Sequence, residues 1–142
     1  MDNKEKVDIK QKLRMCRDLD TEINSLIKAR QVCYRSLFRS PQLNPDKVQG
    51  GSTHTVEDTY TKIIDMDLEI NKKIDKLADH RKKMMAEIDS LEDRRYRNIL
   101  RDYYISGLSW LEVAHTNHWT YRHTTRLHGQ ALEALREKEK MS

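Results

Sequence analysis

Apolar residues near the start of the chain recur as Ile9, Leu13, Cys16, Leu19, Ile23, Leu26, Cys33 and Leu37. Most steps are three or four residues, which keeps one stripe on one side of an α-helix and reads as a coiled-coil seam interrupted by Arg30. The pattern stops at Arg39-Ser40-Pro41. The stretch from about residue 39 to 55 holds both prolines, the Gly50-Gly51 pair and several Ser, Thr and Asn residues, the composition of a flexible linker. Periodicity resumes with Val56, Tyr60, Ile63, Asp67, Ile70, Ile74, Leu77, Arg81, Met84, Ile88 and Leu91. At roughly 1.5 Å per residue the two helices are each about 45 to 55 Å long, and the linker lets them fold back as an antiparallel hairpin.

Arg30 and Asp67 stand at similar distances from the linker, so the hairpin is expected to bring them face to face as a polar pair that fixes register. Leu19, Ile23, Leu26, Ile63, Ile70, Ile74, Leu77 and Met84 are its expected seam. One hairpin buries only a narrow stripe, and Ile27, Tyr34, Ile64 and Met85 lie beside it. A homodimer forming a four-helix bundle is expected to cover them.

From Leu91 the long seams give way to short helices with breaks. Asp93 to Ser106 reads as one helix with Tyr96, Ile99, Leu100, Tyr103 and Tyr104 on its apolar face, and Gly107 stands where a helix stop is commonest. Ser109 and Glu112 form a capping box that opens a second, short helix. Thr120 begins a third, with Leu127, Ala131, Leu132 and Leu135 on one side and Arg122, His123, Thr125, Arg126 and Gln130 largely on another. The chain is therefore expected to be all-α: a hairpin over residues 1–91, then a three-helix domain over 92–142 whose last two helices make a helix-turn-helix.

Composition narrows the class. The 142 residues carry 27 basic and 23 acidic groups, a net charge of +4, with 35% charged and 37% hydrophobic residues, which excludes a large core or a doubly wound sheet. No stretch approaches the ~20 apolar residues of a membrane helix, and the charged start lacks a secretory signal, so a cytoplasmic protein is expected, with no membrane partner. Cys16 and Cys33 read as reduced, half-buried thiols. No phosphate-cradling glycine loop, HExxH or Gly-x-Ser-x-Gly is present, and no enzyme activity or cofactor is expected. His115, His118, His123 and His128 lack the neighbouring cysteines or carboxylates of a metal site and read as solvated side chains.

The informative charge feature is local. Between Val113 and Leu132 there is no acid, while Arg122, Arg126 and those four histidines fall inside the window, which suits a phosphate-facing surface. The residues Leu91, Arg94, Ile99-Leu100, Tyr103, Gly107-Leu108-Ser109-Trp110, Glu112-Val113-Ala114, Thr120, Arg126-Leu127-His128, Ala131-Leu132 and Leu135-Arg136 resemble region four of bacterial sigma factors, the part that reads the −35 promoter element. The chain is too short to hold the domain that melts the −10 element. Its layout is more similar to the small sigma-region-four-like regulators of bacteriophages and prophages of Gram-positive bacteria.

That resemblance implies a sequence-specific DNA-binding regulator that activates late phage genes for packaging or lysis near a promoter. It implies duplex DNA as partner, and RNA polymerase or another phage regulatory protein as possible further partners. Carried over residue by residue, the DNA-contacting positions are Thr120, Tyr121, Arg122, His123, Thr125, Arg126 and Gln130, with Arg101 a weaker backbone candidate. Arg is the usual reader of guanine. The chain departs from the pattern at Asn117-His118, where region four usually has Leu-Gly, so one of the two must adopt the left-handed conformation. It departs again at Thr124, an apolar position in the family. Two other classes remain: a module that binds another phage regulator through its helices, and a small terminase subunit. Mass in solution separates the last, since two subunits favour the regulator and eight or more the terminase.

Overall fold

A computed structural model describes residues 8–39 and 52–141, so the linker expected over 39–55 lies mostly outside the described residues. Among the described residues the fold is all-α. Helix α1 spans Ile9–Arg39 and α2 spans Ser52–Asp89. They are followed by α3, Arg94–Leu100, which runs on into a π-helical turn, Arg101–Ile105, and then by α4, Trp110–Asn117, and α5, Tyr121–Met141. Helix α2 starts four residues before Val56, because Ser52 to Thr55 are polar and add nothing to an apolar period. No helix is long and apolar enough to cross a membrane among the described residues.

The chain packs as two compact units, one made of residues up to Leu19 and from Leu77 onwards, the other of Asp20–Lys76. The sequence reading divides the chain at residue 91; packing instead groups the first turns of α1 and the last turns of α2 with the C-terminal helices.

In the unit Asp20–Lys76, α1 and α2 run antiparallel. The Arg30 guanidinium donates to Asp67 at 2.7 Å, as their spacing from the linker predicts. Lys73 pairs with Glu22 at 2.8 Å, and the Cys33 thiol lies 3.9 Å from the Met66 sulfur. Both polar pairs are part-exposed, so they fix register more than they add stability. Ile23, Ile63 and Ile70 are buried, Leu26 is half-buried, and Ile74, expected on the seam, is 44% exposed in the single chain. From Ile63 to Met84 the buried apolar residues of α2 are Ile63, Ile70, Leu77 and Met84, a seven-residue repeat that ends with Ile88. Seven residues return a helix to within about 20° of the same direction, whereas four overshoot it, which places Ile74 at the edge of the stripe.

The other unit has the larger core. Ile9, Leu13, Cys16 and Leu19 of α1 and Leu77, Met84 and Ile88 of α2 are buried, as are Ile99, Leu100, Tyr104, Val113, Leu127, Leu132 and Leu135. The α1 segment is tied to α5 by ion pairs, Asp8 to Arg136 at 3.1 Å and Lys12 to Glu139 at 2.9 Å. Arg17 reaches further in: one guanidinium nitrogen donates to the Tyr103 carbonyl at 2.6 Å and to the Leu108 carbonyl at 3.0 Å, and the group lies 4.0 Å above the Tyr103 ring. Arg17 thus satisfies carbonyls left open where the third helix ends.

Asp93 caps α3 by accepting from the Arg95 backbone N–H at 2.9 Å, and the hydrogen bond from the Arg95 side chain holds its carboxyl below the usual range. The helix expected to run regularly to Ser106 widens in its last turn, with Ser106 N–H donating to the Arg101 carbonyl five residues back. This turn carries two adjacent tyrosines in different roles: Tyr104 is 2% exposed, while Tyr103 stacks on Trp110 with centroids 3.7 Å apart. Gly107 follows at φ 76°, the left-handed stop that the sequence predicts.

Candidate nucleic-acid interface

Helix α4 opens with the expected capping box: the Ser109 hydroxyl accepts from Glu112 N–H at 3.2 Å and the Glu112 carboxylate accepts from Ser109 N–H at 3.3 Å. Its buried face is Val113 and Ala114. At its end Trp119 N–H donates to the Ala114 carbonyl at 2.9 Å and His118 N–H to the His115 carbonyl at 3.2 Å, the paired bonds of a Schellman motif. The residue in the left-handed position is His118, at φ 58° and ψ 39°. Asn117 instead holds the turn by its side chain, donating to the Val113 carbonyl at 2.8 Å and to Asp102 at 3.2 Å.

A left-handed residue with a Cβ costs about 1 to 2 kcal/mol, against about 0.5 to 1 kcal/mol of extra chain entropy for glycine. His118→Gly is therefore expected to leave stability unchanged or raise it by up to about 1 kcal/mol, and His118→Val to lower it, as read from urea unfolding midpoints.

Thr120 caps α5, its hydroxyl accepting from His123 N–H at 3.0 Å. Thr124, in the place of an apolar residue, is fully buried, and its hydroxyl donates to the Thr120 carbonyl at 2.8 Å, so the polar atom is satisfied inside the helix. Trp119 is half-buried and meets the His123 ring edge-on at 5.8 Å.

Of the residues expected to contact DNA, Thr120, Tyr121, Arg122, Thr125, Arg126 and Gln130 are exposed and His123 is half-buried. Arg122, Thr125 and Arg126 share one side of α5 by their spacing of three and four. Gln130 accepts from the Tyr96 hydroxyl at 3.3 Å, and Arg101 is paired with Asp89 at 3.0 Å. The first turn of α5 holds no acid, and the amide ends there face a side without carboxylates from Val113 to Leu132.

His128 does not fit the reading of a solvated histidine. It is half-buried, its Nε2 lies 2.7 Å from the Tyr104 hydroxyl, and its ring is 4.5 Å from Trp110. Burial pushes its pKa down from 6.5 to about 4 and pushes the Tyr104 hydroxyl up to about 12. The unfolded chain therefore binds a proton that the fold refuses as pH falls from 6.5 toward 4, so stability present above pH 6.5 is lost across that window. The shifted carboxyls, Asp8 and Asp93, titrate below it. Urea midpoints are expected to fall between pH 7 and pH 4.5, and to fall less in His128→Gln.

Beside this helix lies a half-open cleft of about 290 Å³ whose walls include Lys10 and Arg14 of α1. These two, with Arg17, were not foreseen as part of any site. The signal was a basic stripe at steps of four and three along α1, adjoining the buried one.

A family model described as a protein of unknown function, DUF1492, matches residues 37–135. The chain belongs to this family. The DUF1492 match takes in the whole of α3 and α4 and the exposed Arg122–Arg126 side of α5, whereas Lys10, Arg14 and Arg17 fall before it. No curated protein and no solved structure matches the chain. Among the described residues no group of His, Cys, Asp or Glu side chains is placed to hold a metal ion.

Proposed function

We propose that this DUF1492 protein is a sequence-specific, non-enzymatic DNA-binding regulator of transcription, which activates late genes of a phage or prophage from a promoter-proximal site in the bacterial cytoplasm. The observation that carries this reading is the exposed side of the first half of α5, acid-free up to Leu132, with Arg122, Thr125 and Arg126 in step, set behind a short helix and a tight turn. In such an arrangement the second helix lies in the major groove, where an arginine binds guanine O6 and N7. The resemblance to region four of sigma factors supports the same placement and makes RNA polymerase a natural second contact. Tyr60, Ile64, Leu68 and Ile74, between 44% and 58% exposed in the single chain, support a homodimer through the Asp20–Lys76 unit.

Selection of bound fragments from the phage and host genomes by the full chain tests the reading. Enrichment of one short promoter-proximal site supports it. Uniform weak binding that disappears between about 50 and 200 mM salt overturns base readout.

A further inference from the structure

The cleft beside α5 is lined by two cations and by aromatic rings, with no carboxylate among its lining residues. Lys10 and Arg14 stand four residues apart on α1, so their side chains share one side of the helix. Among the described residues neither side chain makes a hydrogen bond or close ion pair, although the Asp8 carboxylate accepts from the Lys10 backbone N–H and feels the Lys10 charge. Asp8, the acid nearest in sequence, is taken by Arg136 through two bonds at 3.1 and 3.2 Å. The opposite wall is the Tyr103–Trp110 stack with Tyr104 and His128, whose polar atoms bond to each other. Thr125 belongs both to this cleft and to the exposed side of α5, between Arg122 and Arg126. An anion held here thus lies next to the surface assigned to DNA.

We propose that the cleft is a phosphate-binding site in which Lys10 and Arg14 grip one phosphate group against the Tyr103–Trp110 stack. Two cations on one side of a helix suit an anion whose charge is shared by two free oxygens, as in a phosphate diester or ester. Resting on the function proposed above, the phosphate comes from the duplex backbone flanking the site read by α5; the same chemistry would take a free phosphate ester.

The test uses the full chain and the variant Lys10→Gln/Arg14→Gln, which keeps good helix formers at both positions. An unchanged melting curve shows that the fold is kept, and the single Lys10→Gln serves if the double variant does not fold. Affinity is measured across a salt series on the selected duplex and on a scrambled one. Separately, inorganic phosphate is titrated without DNA while the NMR signal of the Trp110 indole N–H is followed, assigned by its absence in Trp110→Phe.

The variant is expected to bind both duplexes more weakly by the same factor, with a salt slope shallower by about 1 and an unchanged preference for the selected site. A wild-type salt slope in the variant, together with an indole signal that phosphate does not move, overturns the site. A wild-type slope with a saturable, variant-sensitive indole shift keeps the site and makes a free phosphate its source. If the wild type binds no duplex, the functional reading fails and the phosphate titration alone decides: a saturable shift lost in the variant retains the site, and none removes it.

Discussion

Replacing Arg122 and Arg126 together with alanine is expected to lower affinity for the selected duplex by about 2 to 6 kcal/mol, about 1 to 3 for each bidentate base contact. Both side chains are exposed and lie one turn apart on the side of α5 turned away from its buried residues, Leu127, Ala131 and Leu135. Their removal leaves the core untouched, so the melting temperature should hold while selectivity disappears. Adjacent contacts couple, and the double loss need not equal the sum of the single ones. Fluorescence anisotropy on selected and scrambled duplexes reads the effect. A double variant that still prefers the selected duplex by the wild-type factor would take base reading away from α5.

The largest stability effect is expected from Leu127→Ala, at about 2 to 5 kcal/mol, with the value set by how far the surrounding side chains collapse into the space. Leu127 is 2% exposed and lies on the inner side of α5, directly after Arg126. Leu111→Ala, at a site 69% exposed, removes a side chain of the same size and is expected to stay within about 0.5 kcal/mol. Urea unfolding of the two variants compares them. A small loss for Leu127→Ala would mean that α5 is not held by this core.

What the chain reveals before its structure is known follows the reach of each interaction. The capping box at Ser109, the Thr120 cap and the Gly107 stop are set by chemistry within a few residues and are visible in the sequence, which also places a left-handed residue at Asn117-His118 and leaves open which of the two it is. The Arg30–Asp67 pair is a distant contact, yet it is legible because the two residues interrupt the apolar stripes at similar distances from the linker. The place of Lys10, Arg14 and Arg17 was not legible. A basic stripe on a long helix looks the same whether water or Tyr103 and Trp110 lie opposite it. The widened turn at Arg101–Ile105 also leaves no trace, because tyrosines occur on both the inner and the outer side of it. Thr124 looked like a defect in an apolar pattern; a hydroxyl that bonds back to the preceding turn makes it a tolerable one.

The unit that holds α3 to α5 is interrupted in sequence, with Asp20–Lys76 inserted between its two pieces. Closing so long a segment as a random loop costs about 3 to 4 kcal/mol of chain entropy. A paired hairpin shortens that loop, since the Glu22–Lys73 contact brings its two ends together. Leu19 and Leu77, both buried, then stand only a few residues beyond a closed pair, so a core split in sequence costs little more chain entropy than a continuous one.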